Sequence, residues 1–188
     1  MATIADEISI IMTWSEVEVF SWIGVQRNIM GLRDNYKPGG GIGFEDTWTK
    51  NIEGAGAEAA VAKWRNVYWS GTVGDTKADD VMAYQVRCNG SRRLDDMCLR
   101  PEDKKHKDKV FISVLAGFTP LPRFYRFTIC GWILGRDGMQ NEVPGENRPR
   151  WREGSPGRPF LWWVPRKALH PPSTLPEPRK PGIRRPLI

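Results

Sequence analysis

The stretch Asp80-Val81-Met82-Ala83-Tyr84-Gln85-Val86-Arg87 sets a carboxylate, an amide and a guanidinium close together along the chain. On an extended strand side chains alternate between faces, so Tyr84 and Val86 point one way while Gln85 and Arg87 point the other. If Val81 and Tyr84 flank a two-residue turn, Asp80 and Gln85 become cross-strand partners with Cβ atoms roughly 5 Å apart. The turn residues Met82-Ala83 lack the Gly or Asn that a primed turn prefers. Upstream, Asn51 to Trp64 reads as a helix rich in Gly and Ala, with Glu58 the one long acidic group in its middle. An exposed Glu58 needs no explanation, whereas a Glu58 that faces the sheet requires a partner, which Mg²⁺, Lys63 or Arg87 would supply.

An acidic residue on a helix, then Asp, then Glu or Gln, any residue, and Lys or Arg on a strand resembles the PD-(D/E)XK nuclease superfamily. The likeness is closer to small phage- and prophage-encoded members, over about residues 50 to 135. The matching residues are Glu58, Asp80, Gln85 and Arg87. Gln85 and Arg87 stand where that family usually has Glu and Lys, and an arginine cannot serve as a neutral base. The charged segment Pro101 to Lys109 stands where the family core inserts a helix.

What the resemblance implies is a restriction-endonuclease-like core and a DNA endonuclease or phosphodiesterase dependent on Mg²⁺ (or Mn²⁺). Glu58, Asp80 and the Gln85 carbonyl oxygen would hold the metal, a hard cation suited to oxygen ligands. Asp80, Gln85, Arg87 and Lys63 would form the catalytic set, Lys63 because some members carry the catalytic lysine on the helix. Asp75 and Asp79 stay open as alternatives to Asp80. The rival reading keeps the fold without the chemistry: a DNA-binding or virion-associated phage accessory protein in which Gln85 and Arg87 pair with Glu58 and Asp80. A bidentate bond from Arg87 to either carboxylate would then explain the constellation.

A chain of 188 residues with ordinary apolar content suits one domain. The net charge of +6 is uneven, because Arg166, Lys167, Arg179, Lys180, Arg184 and Arg185 face the single acid Glu177 toward the C-terminus. The chain therefore divides into a domain over residues 1–165 and a basic, proline-rich tail over 166–188. Such a balance points to a polyanion, here DNA, with Arg92, Arg93 and Arg100 as candidate phosphate contacts around the Asn89-Gly90 turn. A phage structural protein or a host protein is a further partner class. Three cysteines without CxxC spacing read as reduced thiols packed as small hydrophobes. No run approaches the roughly 18 apolar residues of a membrane span, and Asp6 and Glu7 stand where a signal peptide carries positive charge. The expected location is the cytoplasm, that of the host for a phage-encoded protein, or the virion.

Residues 13 to 33 read as a helix opened by a Thr13-Trp14-Ser15-Glu16 capping box, with Arg27 and Arg33 complementing the dipole at its C-terminal end. Pro38 to Gly43 is glycine-rich but lacks the Gly-Lys-Ser/Thr ending of a phosphate loop. Ile52 to Asn66 forms the second helix. Strands are expected at Tyr84 to Arg87, Leu94 to Arg100, Val110 to Ala116, Arg123 to Leu134 and Phe160 to Pro165, while Pro101 to Lys109 reads as a solvated loop or a single helical turn and Gly135 to Pro159 as a long loop. The fold class is α+β: a mixed sheet of about five to six strands with the two N-terminal helices packed on one face.

Overall fold

The computed structural model describes residues 6–35, 44–74, 79–90, 96–120, 123–153 and 160–177. Helix α1 (Trp14–Arg33) begins where the sequence requires, because Thr13 and Glu16 close a reciprocal capping box. The Thr13 amide donates to the Glu16 carboxylate at 2.6 Å, and the Glu16 amide donates to Thr13 Oγ1 at 3.3 Å. Helix α2 (Phe44–Arg65) starts earlier than its small-residue stretch suggests. The small residues explain how closely it packs. A Cβ on Gly24 would lie 2.5 Å from the Ile52 Cα, and one on Gly56 would lie 2.4 Å from the Phe127 ring.

The main sheet contains β1 (Ile8–Met12), β2 (Tyr84–Gly90), β4 (Val110–Pro120) and β5 (Arg123–Leu134) in the order β1-β5-β4-β2. It is mixed, since β2 runs parallel to β4 while the other neighbours are antiparallel. A second sheet joins β3 (Met97–Leu99), β6 (Trp151–Glu153) and β7 (Phe160–Val164) in the order β3-β7-β6. The α+β class and the two helices on one face are as expected. The strands, however, divide into sheets of four and three instead of one sheet of five or six. Of the strand expected at Leu94 to Arg100, the described part contains β3, which pairs with β7.

Two cores follow from the alternation of side chains across β4 and β5. Ile112, Val114, Phe127 and Ile129 face the helices together with Phe20, Ala57, Val61, Tyr84 and Val86. Phe111 and Ile133 face the second sheet and pack with Met97, Leu99, Trp162 and Val164. The parity change that lets β5 serve both cores comes from a register shift opposite Ser113 and Val114. There Gly131 adopts φ 151°, and a Cβ would strike the His170 carbonyl oxygen at 2.5 Å.

That contact belongs to a segment expected to be a tail. Trp132 and His170 exchange backbone hydrogen bonds, and the Trp132 indole donates to the Pro171 carbonyl and to Thr174 Oγ1, each at 3.1 Å. The Tyr84 hydroxyl donates to the Pro176 carbonyl at 2.6 Å, while Leu175 joins the helix-side core. The domain boundary at 165 is therefore corrected: the packed unit extends through residue 177, because its prolines, unable to enter a sheet, cap exposed aromatic edges instead. Residues 178–188 lie outside the described residues. Truncation after His170 removes one buried leucine and the bonds to Tyr84 and Trp132, a loss of roughly 3 kcal/mol. Urea denaturation should show a lowered midpoint, and an unchanged midpoint would restore the tail reading.

Candidate functional site

The Met82-Ala83 turn forms as the strand pattern requires. Val81 and Tyr84 make an isolated antiparallel bridge, and the Tyr84 amide donates to the Val81 carbonyl at 2.9 Å. Met82 takes φ 56°, a left-handed conformation that costs a non-glycine residue on the order of 1 kcal/mol. The turn delivers Asp80 to the outer edge of β2, where its Oδ2 accepts the Val86 amide at 2.7 Å. The carboxylate thus satisfies an edge-strand donor that would otherwise face solvent.

Asp80 and Gln85 do not meet as cross-strand side chains. Gln85 is buried, 4% exposed, and its amide nitrogen donates to Asp79 Oδ1 at 2.9 Å. Lys109 is the second partner of that Asp79 oxygen. Asp79, previously one of the open alternatives, is thus the carboxylate that faces Gln85. Asp75 lies outside the described residues.

Arg87 extends from the same face of β2 as Gln85. Its guanidinium binds Asp103, lies 3.5 Å from Asp80 Oδ2, and has its Cζ 5.0 Å from the centre of the Phe111 ring. Asp103 sits in the short 3₁₀ helix Pro101–His106, a segment expected to be wholly solvated. It is buried because it ties Arg87 down and also accepts the Arg100 amide at 2.8 Å.

Glu58 is 7% exposed in the middle of α2. Its partner is neither Arg87 nor Lys63. Arg27 of α1 grips it with two parallel bonds, Nη1 to Oε1 at 2.6 Å and Nη2 to Oε2 at 2.7 Å. The Trp69 indole adds a third bond to Oε2 at 3.2 Å, and Arg27 also donates through Nε and Nη2 to the Thr72 carbonyl at 3.1 and 2.9 Å. Burial pushes the Glu58 carboxyl above its ordinary range, Arg27 pulls it back in part, and nearby Asp80 raises it further. Asp80 is likewise raised by burial, against the opposing pull of Arg87, the Val86 amide and Arg27. Burial alone would lower Arg27, but Glu58 and Asp80 together hold it above its usual value. The three groups therefore form one electrostatic unit, with a guanidinium charge acting on both carboxylates.

The expected metal set does not fit this geometry. Both oxygens of Glu58 are occupied by a cation the protein supplies, Asp80 Oδ2 is bound to backbone, and Gln85 is paired with Asp79. Among the described residues no three His, Cys, Asp or Glu side chains are grouped to hold a metal ion. Lys63, expected in the catalytic set, lies apart from Glu58 and Asp80. It donates to the Ile11 carbonyl at 3.0 Å and to Glu16 Oε2 at 2.8 Å, joining α2 to β1 and to the start of α1. Its separation from Glu58 by five positions turns it well away on the helix. Arg100 is exposed beside the 3₁₀ helix; Arg92 and Arg93 lie outside the described residues, as does the Pro38 to Gly43 loop.

Arg27 is the residue that sequence reasoning assigned to the helix dipole. A signal was present, since Arg27 falls on the stripe of Phe20 and Gly24 that faces α2, and a cation on an inward face requires a buried acid. The cysteines form no disulfide among the described residues; desolvation pushes Cys98 up to about 11 and Cys88 higher still, which keeps both as protonated thiols. Comparison with protein-family models, curated proteins and solved structures finds no match.

Arg27→Met leaves Glu58 buried without its counter-charge and should cost about 3 to 5 kcal/mol. Lys63→Met removes a half-exposed pair and should cost less than about 1 kcal/mol. Equilibrium denaturation of the two variants checks the order; similar losses would show that the Glu58 pair has no special weight.

Proposed function

We propose that this protein is a non-catalytic nucleic-acid-binding protein, an accessory factor of the phage type, that retains the residue pattern of a PD-(D/E)XK nuclease without its metal chemistry. The observation that supports this reading is the bidentate Arg27–Glu58 pair, which occupies both oxygens of the helix carboxylate. A guanidinium neutralises the acid but does not lower the pKa of a bound water as a divalent metal does.

Binding is supported by the exposed cations around the 3₁₀ helix, which are interleaved with exposed Glu102 and with Asp108, 3.8 Å from Arg136. Arg100, Lys104 and Lys107 are exposed along the 3₁₀ helix and just beyond it, and exposed Arg136 adjoins them through a bond from its amide to the Lys107 carbonyl at 2.6 Å. Lys104 also stands 5.4 Å from the centre of the Trp162 ring, which holds its stem against the second sheet. Such a patch contacts phosphates without reading bases.

Fluorescence anisotropy with labelled duplex and single-stranded DNA tests the proposal. In EDTA, with no divalent metal present, affinity should fall with monovalent salt at a log–log slope of roughly −3 to −4 for four duplex phosphate contacts. The double variant Lys104→Ala, Lys107→Ala should reduce that slope by about two. DNA cleavage by wild-type protein with Mg²⁺ or Mn²⁺ would assign the nuclease reading instead, and absence of binding at low salt would overturn both.

A further inference from the structure

Helix α1 buries one face against α2 and leaves the opposite flank apolar. Trp14, Trp22, Ile29 and Leu32 are 56%, 62%, 46% and 46% exposed, and half-buried Val25 lies between them. The positions 14, 18, 22, 25, 29 and 32 recur at three- and four-residue steps, the seam of a coiled coil, with Glu18 its single polar member. Trp48 of α2 is exposed too, one turn before Asn51, whose side chain donates to Asn28 of α1 at 3.0 Å. It therefore stands level with the last turns of α1. Soluble monomers rarely expose so many large apolar side chains in one place.

The charges toward the two ends of this stripe specify what covers it. Glu18 stands one turn inside its N-terminal end, after Trp14, and Arg33 flanks its C-terminal end, both exposed. Arg33 Nε donates to Asp34 Oδ1 at 3.0 Å, an exposed pair. We infer that the α1 flank is the interface of a two-fold homodimer in which two copies of α1 pack antiparallel. The axis midway between Glu18 and Arg33 sets each Glu18 beside the partner's Arg33 and each Trp22 beside the partner's Ile29. A parallel arrangement would place Glu18 on Glu18 and Arg33 on Arg33. One patch that carries its own complement in reverse order is the requirement for an isologous contact.

Sedimentation equilibrium of the full chain tests this. Wild-type protein should give a concentration-dependent dimer, and Trp22→Glu should be monomeric with an unchanged circular dichroism spectrum, since Trp22 lies outside both cores. Glu18→Arg and Arg33→Glu should each weaken the dimer about tenfold or more, and the double variant should recover most of the loss. A wild-type monomer at 100 μM or so (about 5 to 6 kcal/mol of association free energy) would overturn the inference. So would a dimer that Trp22→Glu leaves intact, or a charge reversal that the second reversal fails to rescue.

Discussion

The Arg27–Glu58 pair is the constraint around which the helix face of this protein is arranged. Two long charged side chains are removed from water between α1 and α2, and each must find every partner its geometry allows. Glu58 takes two arginine nitrogens and an indole, and Arg27 takes the Thr72 carbonyl with what remains. This fixes the rotation of both helices about their axes. The glycines at 24 and 56 then let α1 meet α2 and α2 meet the Phe127 ring at van der Waals distance.

Beyond Glu58 the charges alternate. Arg27 acts on Asp80, Asp80 on Arg87, and Arg87 on Asp103, so negative and positive groups follow one another from α2 around the edge of β2 to the 3₁₀ helix. Each added member lowers the cost of burying its neighbours along this strand edge. The alternation also closes β2 as an edge strand, since Asp80 occupies the Val86 amide and Arg87 Nη1 donates to the Val86 carbonyl at 2.9 Å.

Local signals in the sequence were read correctly where one short segment determines the structure. The Thr13/Glu16 capping box, the Met82-Ala83 turn and the two long strands at Val110 and Arg123 all depend on neighbours in the chain. Partners set by tertiary packing were less legible. Arg27 and Glu58 lie 31 positions apart, and nothing in either neighbourhood names the other. Asp103 sits in a run so charged that hydropathy reads it as solvent-exposed, although one acid of that run turns inward to meet Arg87. β1 and β6 are short, and the proline-rich stretch after 165 has no periodicity that reveals its docking on Trp132.

An arginine and a divalent metal both neutralise carboxylates, but they differ in what they leave available. The planar guanidinium saturates Glu58 in a fixed two-bond geometry, whereas a metal keeps coordination positions for water and phosphate. The two cases differ in which cation Glu58 and Asp80 hold. Titration calorimetry of MgCl₂ and MnCl₂ into the wild-type protein answers this directly. The arginine-held arrangement predicts no saturable binding heat up to millimolar metal, whereas saturable binding that Asp80→Asn abolishes would contradict it.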